Sequence, residues 1–488
     1  MKKCLFVIFV VALLSCQINK SKISEEGTEY SFLTDSLNIE QQLIDHNLAG
    51  FSLVVFENYE IVYSKQFGVK SVISNEMIDE QTAFSTASIA KPITSLLCHI
   101  LEEKGFINLD DPIDNYLKRW HLPKSPFTEH NNPTWKQFLN HTAGTSQHGF
   151  ADFYEGGEIP TLKQSLLGQI PRYDKPIEFL FTPGTSWQYS GGGYVIIQMA
   201  LEDKMNKSIA QLAQEHIFVP LDLKNTTMIQ PNEKGFLTNV ALVHDKENKV
   251  IKTGLPITPQ VAPSGLWSTP SDLAKLTIEI QNALRNKNNK VISNNIAKKI
   301  TEVTALKNAV GGWAYGPQRS FGYNNYDWIR CGGSNTGVGS EIFATMADGN
   351  GWIYMANGEK PNRLPVFNQV QIKLLALTDW KKTLPTEDIQ KIPLETREKL
   401  TGNYNDFLFG VGMDVKIVVR DNRLFVESPF FEFYKGQNEN ELIGLKNGFF
   451  KIIDYPNLLK FNFSHGKPSS VIVFRDNLEV EIELIHDK

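Results

Sequence analysis

The sequence predicts an α/β (α+β) chain in two parts: a sheet flanked by helices, with a helical subdomain, and then an all-antiparallel β domain. Three observations predict this. Residues Gly50 to Gly68 read as two strands around Asn58, Phe51 to Phe56 and Ile61 to Ser64, the pattern of a hairpin. Apolar residues at helical spacing occupy Ile93 to Glu103 and Tyr194 to Leu201. The Gly-punctuated runs Tyr326 to Cys331, Gly339 to Met346 and Trp352 to Asn357 then extend the sheet begun by the hairpin. Beyond residue 395 the pattern changes to alternating runs, Val415 to Val419, Leu424 to Glu427 and Val471 to Phe474, broken by turn residues at Asp421-Asn422 and Asn447-Gly448.

Each part has expected bounds. A chain of 488 residues exceeds one ordinary core. Lys2 and Lys3 followed by an apolar run from Leu5 to Leu14 make residues 1–15 a short export signal rather than a membrane span. Leu13-Leu14-Ser15-Cys16 resembles the bacterial lipobox. That resemblance implies cleavage before Cys16, lipidation of its thiol, and a lipoprotein held by an N-terminal lipid anchor in the cell envelope, in the periplasm or on the outer membrane. The polar stretch 16–34 suits a tether. Residues 35–380 form the expected main domain, the segment after Asp110–Leu117 to about Phe181 reads as a helical insertion within it, the Pro-containing stretch 381–394 reads as a linker, and 395–488 is the β domain.

Composition narrows the partners. The net charge of −5 is small and the basic residues are scattered, so a nucleic-acid surface is not expected and small molecules or peptides are. Of four cysteines only Cys98 and Cys331 remain after processing and lipidation, too few for a disulfide framework. The ten histidines show no ligand spacing such as His-Glu-x-x-His, so neither metal nor other cofactor is expected.

Chemistry concentrates at Ser88-Ile89-Ala90-Lys91. Serine is a weak nucleophile until a base takes its proton, and residues three apart on a helix share a face, so Lys91 can reach the Ser88 oxygen. The following helical run puts Ser88 beside a helix N-terminus, with Pro92 in the first turn, where proline is tolerated. The positive end of the helix can stabilise an oxyanion forming there. The spacing recurs in Ser464-His465-Gly466-Lys467, a turn-like setting to which no role is assigned.

Four more segments follow in order: Leu109-Asp110-Asp111-Pro112; Leu139-Asn140-His141-Thr142-Ala143-Gly144; Pro183-Gly184-Thr185-Ser186-Trp187-Gln188-Tyr189-Ser190-Gly191-Gly192-Gly193-Tyr194; and Ser264-Gly265-Leu266-Trp267-Ser268-Thr269-Pro270-Ser271-Asp272-Leu273. Together they resemble the serine β-lactamase and penicillin-binding-like hydrolases, in the branch of class C β-lactamases, D-alanyl-D-alanine carboxypeptidases, D-aminopeptidases and related esterases. The likeness covers roughly residues 35 to 375. It implies a mixed sheet packed by helices, a groove beside the helical subdomain, Ser88 as nucleophile, Lys91 as its lysine and Tyr189 as the tyrosine of the second motif. Amines and phenols ordinarily titrate at about 10, so base work near neutrality depends on burial and neighbouring charge. His141 reads as part of a helix end and turn, and Trp187 and Tyr194 as core or groove wall.

Two positions depart from the family pattern. Gly191 stands where an asparagine usually ends the second motif. Cys331 begins Cys331-Gly332-Gly333-Ser334, where the third motif usually offers Lys or His, so the cation that meets a substrate carboxylate is missing and Arg330 points to the other face of a regular strand. Gly333 lets substrate approach the strand, and the N–H of Ser334 can join that of Ser88 as an oxyanion donor. The expected function is a serine hydrolase acting on an ester or amide, a D-amino acid peptide or small ester, through a Ser88 acyl-enzyme. The alternative is a noncatalytic module on the same fold that binds cell-wall peptides or a protein. The C-terminal domain resembles small barrel-like modules appended to such hydrolases.

Overall fold

The computed structural model describes residues 30–31, 34–323, 326–346, 348–378, 380, 389–410, 412–429, 431 and 438–485. The signal segment, Cys16 and all of the tether except residues 30–31 and 34 lie outside them, as do residues 381–388 of the expected linker.

The opening hairpin forms as β1 (Gly50–Glu57) and β2 (Glu60–Gly68), turning through Asn58 and Tyr59, both at positive φ. A two-stranded ladder joins β3 (Phe84–Ser85) to β4 (Trp267–Ser268). The main sheet is completed by β5 (Ala305–Asn308), β6 (Gly311–Trp313), β7 (Gln318–Tyr323), β8 (Tyr326–Asn335), β9 (Val338–Thr345) and β10 (Gly351–Ala356), in the order β2-β1-β10-β9-β8-β7-β6-β5. Every neighbouring pair is antiparallel. The mixed sheet implied by the family resemblance is therefore corrected: only two to four residues separate consecutive strands from β5 to β9, too few for the crossover a parallel pair needs.

Alternation along β8 to β10 divides two cores. Ile329, Cys331, Ile342, Ile353 and Met355 face the helices, and Trp328, Phe343, Trp352 and Tyr354 face the other way. On the first side lie α1 (Ala90–Glu103), α2 (Gly191–Met205), α3 (Pro270–Leu284) and α4 (Asn294–Thr301). Helix α1 is buried from Ile93 to Leu101, polar residues included. It tolerates them because Thr94 donates to the Ala262 carbonyl at 3.0 Å and Ser95 to that of Tyr315 at 2.6 Å, so no hydroxyl proton is stranded. Helix α2 is buried from Gly191 to Leu201. Its three opening glycines are poor helix formers, yet the Ser190 hydroxyl caps them by accepting from the Gly193 N–H at 3.0 Å.

The expected helical insertion is only partly helical. Between Leu117 and Ser190 the regular elements are the short helices Trp135–Leu139 and Leu162–Leu166, each opened by a Thr capping box. Prolines at 123, 126, 133, 160, 171, 176 and 183 block longer helices by removing N–H donors and clashing with the preceding turn.

The second sheet begins before residue 395. Its strands are β11 (Ile389–Gln390), β12 (Gly402–Tyr404), β13 (Val415–Arg420), β14 (Arg423–Glu427), β15 (Glu439–Leu445), β16 (Phe450–Ile452), β17 (Leu458–Ser464), β18 (Lys467–Arg475) and β19 (Leu478–Glu483), with β11 pairing on β15. Asn405, just after β12, bonds the backbone of Glu483 and Ile485 at the far end, so the sheet curls into an open barrel. Ser464 at the end of β17 and His465 in the turn that follows it are exposed, far along the chain from the groove elements.

The two sheets share a core. Phe51, Trp328 and Trp352 of the first pack in one apolar cluster with Tyr404, Phe407, Phe431 and Val471 of the second. Polar contacts pin the junction: Asn308 Nδ2 donates to the Phe409 carbonyl at 2.6 Å, Asn457 Nδ2 to that of Ala309 at 2.7 Å, and Arg475 pairs with Asp327 at 2.8 Å.

Burial of α1 has a consequence for acid stability. His99 is buried with Nδ1 2.8 Å from the Ser95 carbonyl oxygen, and burial lowers its imidazole to about 4. In the unfolded chain a histidine titrates at about 6.5, so below that pH the unfolded state takes up a proton the folded state refuses. The contribution is full above pH 6.5 and is lost as pH falls toward 4, by roughly 3 kcal/mol for this one group. Denaturant titrations at pH 7 and 4.5 are predicted to show a smaller loss of stability in His99→Gln than in the parent; equal losses would refute the assignment.

Candidate active site

Ser88 is positioned by its flanks. Thr86 donates its N–H to the Leu266 carbonyl at 2.9 Å, and Ala87 bridges to Gly265, which continues the β3–β4 ladder up to the serine. Ala87 takes φ 50, a left-handed conformation that non-glycine residues rarely adopt. The chain thus turns sharply before Ser88 and enters α1 directly after it, leaving Ser88 half-buried at the helix N-terminus.

One turn on, Lys91 Nζ lies 3.2 Å from Ser88 Oγ and 2.9 Å from the Pro263 carbonyl oxygen. Lys91 is only 3 % exposed, and its amine also stands 4.7 Å from the centre of the Tyr189 ring and 5.7 Å from that of Tyr194. Carbonyl, hydroxyl and two ring faces replace its hydration. The Tyr189 hydroxyl completes the cluster at 2.9 Å from Ser88 Oγ. Three proton-carrying groups from two distant segments therefore meet at one oxygen.

Tyr189 is held by rings. His141 packs against it at a tilt of 36° with centroids 4.4 Å apart, and Trp313 meets it edge-on at 5.7 Å. His141 is buried, and its Nδ1 accepts the Ser190 N–H at 3.2 Å. Burial, reinforced by Lys91, holds its imidazole well below the usual histidine range, so it is a neutral packing surface.

These groups open onto a cavity of about 230 Å³. Ser88, Lys91, Tyr189, Cys331 and Gly332 line it; Gly191, Gly333 and Ser334 do not. Strand β7 pairs with β8 only as far as Arg330, which leaves the β8 edge from Cys331 onward facing the groove. That free edge explains why Arg330 reaches the cavity although it lies on the opposite face from Cys331. Its guanidinium stacks 4.8 Å above the Phe343 ring and meets Glu341 at 3.4 Å. The Cys331 thiol is pushed up to about 12, first by burial and then by Glu341, so it is neutral.

The glycines have separate reasons. A Cβ at Gly333 would stand 2.0 Å from the Thr86 carbonyl oxygen, so only glycine lets β8 pass behind the serine loop. The same carbonyl accepts from the Ser340 hydroxyl at 3.0 Å. Gly191 donates its N–H to the His148 carbonyl at 2.9 Å, and a Cβ there would sit 2.6 Å from that oxygen. An asparagine has no room, and the Pro263 carbonyl holds the lysine instead. Ser334 is exposed, with its hydroxyl accepting from Arg363 at 2.6 Å.

The cavity also contains residues that motif reading missed: Lys307, Trp313, Glu341 and, from the second sheet's side of the chain, Phe409. None stands in a motif; only folding brings them to Ser88. Among the described residues no group of three His, Cys, Asp or Glu side chains is placed to hold a metal ion.

Comparison with known proteins gives a consistent picture. The Beta-lactamase family model matches residues 37–377. Penicillin-binding protein 4* of Bacillus subtilis (strain 168) is 27% identical over 177 residues, 36% of this chain and 37% of that protein. Protein flp of Staphylococcus aureus (strain MW2) is 24% identical over 233 residues, 48% of this chain and 44% of that protein. The chain thus spans less than half the length of these relatives. Among solved structures, the octameric penicillin-binding protein homologue from Pyrococcus abyssi superposes with a TM-score of 0.60 at 18% identity, covering 94% of this chain and 99% of that one. SurE superposes with a TM-score of 0.56, also at 18% identity, covering 91% and 97%. At that identity both show a shared fold alone.

The packing at Gly191 makes a direct prediction. Gly191→Asn, which restores the usual family residue, overfills the site and is expected to destabilise by about 1–3 kcal/mol, read as a lowered melting temperature. An unchanged melting temperature would show that the His148 segment yields.

Proposed function

Because the chain belongs to the beta-lactamase family, we propose that it is a serine hydrolase that transfers an acyl group from an ester or amide through Ser88 to water. One observation carries this reading: Lys91 Nζ and the Tyr189 hydroxyl lie 3.2 and 2.9 Å from Ser88 Oγ at the floor of one cavity. In the first half-reaction the Ser88 oxygen bonds to the substrate carbonyl carbon while its proton passes to Lys91 or Tyr189. The tetrahedral oxyanion takes a hydrogen bond from the N–H of Ser88 at the N-terminus of α1. The bond to the leaving nitrogen or oxygen then breaks, and that atom receives the proton. Water repeats the sequence on the acyl-enzyme and frees Ser88.

The substrate class we favour is a D-amino acid peptide or a small ester, met in the cell envelope by a protein anchored through a lipid on Cys16. The name of the Bacillus relative supports including a penicillin among the probes. Treating the protein with a fluorophosphonate and with a fluorescent penicillin is expected to place an adduct on Ser88, and Ser88→Ala to abolish turnover of a nitrophenyl ester. Absence of both adducts, or full turnover by the variant, would overturn the reading. Tyr189→Phe is expected to lower kcat by about 10² or more with labelling still confined to Ser88, since proton shuttling is the function it loses; an unchanged kcat would make Tyr189 a packing residue. For the anchor, a clickable fatty acid fed to expressing cells should label the parent and not Cys16→Ser, and label on neither would refute lipidation.

A second reading keeps the fold without the chemistry, as a module that binds cell-wall peptides. The altered positions Gly191 and Cys331 favour it. Equal peptide affinity in the parent and Ser88→Ala, with no turnover by either, would establish it.

A further inference from the structure

Cys331 leaves the cavity without a cation at the usual family position, yet the cavity is not without positive charge. Lys307 of β5 lines it, its ammonium 5.4 Å from the centre of the Trp187 ring. The other cations there are committed. Lys91 serves Ser88 and the Pro263 carbonyl, and Arg330 meets Glu341 and stacks on Phe343. Among the described residues no carboxylate lies within ion-pairing distance of Lys307. Burial first, and then the Arg330 charge, lowers its amine from the usual lysine range; Asp406 of the second domain offsets this only in part and makes no ion pair with it.

The second domain also reaches this lysine. Asp406 organises a tight loop by accepting the N–H groups of Phe409 at 2.7 Å and Gly412 at 3.0 Å. The loop is fastened to β5 because the Phe409 carbonyl accepts from Asn308. Phe409 lines the cavity while its ring meets that of Phe431 edge-on at 5.3 Å, and a Cβ at Gly410 would lie 3.4 Å from Lys307 Cε, so the loop runs directly along the lysine stem. An ammonium with Trp187 and this loop as neighbours, and opening on the nucleophile's cavity, is held in place for an anionic group that takes over the hydrogen bonds of its water.

We infer that Lys307 receives a carboxylate on the substrate, in place of the cation missing at Cys331, in a subsite walled by Phe409 of the C-terminal domain. The inference rests on the acyl-transfer reading of Ser88 and adds the substrate class to it: acyl donors that carry a free carboxylate. It also gives the C-terminal domain a part in selecting substrate.

The test uses matched esters with the charge on either side of the scissile bond. One pair is the nitrophenyl monoester of adipic acid against nitrophenyl hexanoate; the other is acetylated 3-hydroxybenzoate against acetylated 3-hydroxybenzamide. The ratio of kcat/KM, acid over amide or alkyl partner, is expected to exceed one in at least one pair. It should fall at least tenfold in Lys307→Met, mainly through KM, be largely restored in Lys307→Arg, and fall below the Met value in Lys307→Glu. Fluorophosphonate labelling of Ser88 in all three variants shows that the fold and nucleophile survive. Turnover that depends on Ser88 with a ratio untouched by these substitutions, or with no preference for the acid in either pair, overturns the role of Lys307 alone. No Ser88-dependent turnover or labelling in the parent overturns the acyl-transfer reading, and this inference falls with it.

Discussion

The burial of Lys91 is the constraint from which the site is organised. An ammonium or amine removed from water must find acceptors or polarisable surface, or the fold loses several kcal/mol. Lys91 meets this with the Ser88 hydroxyl, the Pro263 carbonyl and the rings of Tyr189 and Tyr194. Each requirement fixes another element. The carbonyl demands that the segment ending at Gly265 lie along α1, which the β3–β4 ladder secures. The rings demand that α2 begin beside α1, which its glycine N-terminus permits.

Backbone, rather than side chain, fills the places where this chain departs from its family. The His148 carbonyl occupies the space an asparagine would take at 191, and the Thr86 carbonyl presses against Gly333. A carbonyl is shorter than a side chain and is held by its own chain, so it fixes position without rotamer entropy. The loss of a polar side chain at 191 is therefore a rearrangement of who holds the lysine, with Pro263 taking that task.

The second sheet joins the first through a shared aromatic core and through Asn308, Asn457 and Arg475. Such a junction resists hinge motion better than a polar domain contact, because opening it would expose several aromatic side chains at once. It also carries a loop to the cavity. The appended β domain is for that reason part of the groove wall as well as a packing partner.

Much of this was legible in one dimension. Ser88 and Lys91 are three apart on a helix whose apolar spacing is plain, so their meeting follows from helix geometry. The hairpin, the strands from Tyr326 to Ala356 and the alternating runs after Val415 declare themselves by period, and the family motifs carry Tyr189 to the same place. Turn lengths contain the antiparallel order too, although the resemblance pointed to a mixed sheet. What the tertiary structure alone decided lies where no periodicity speaks. The end of β7 at the level of Arg330 exposed the β8 edge, and the curl of the second sheet delivered Phe409 to Lys307. Local pattern reports what neighbouring residues prefer, whereas a groove is made of residues a hundred positions apart whose proximity is set by how two cores pack.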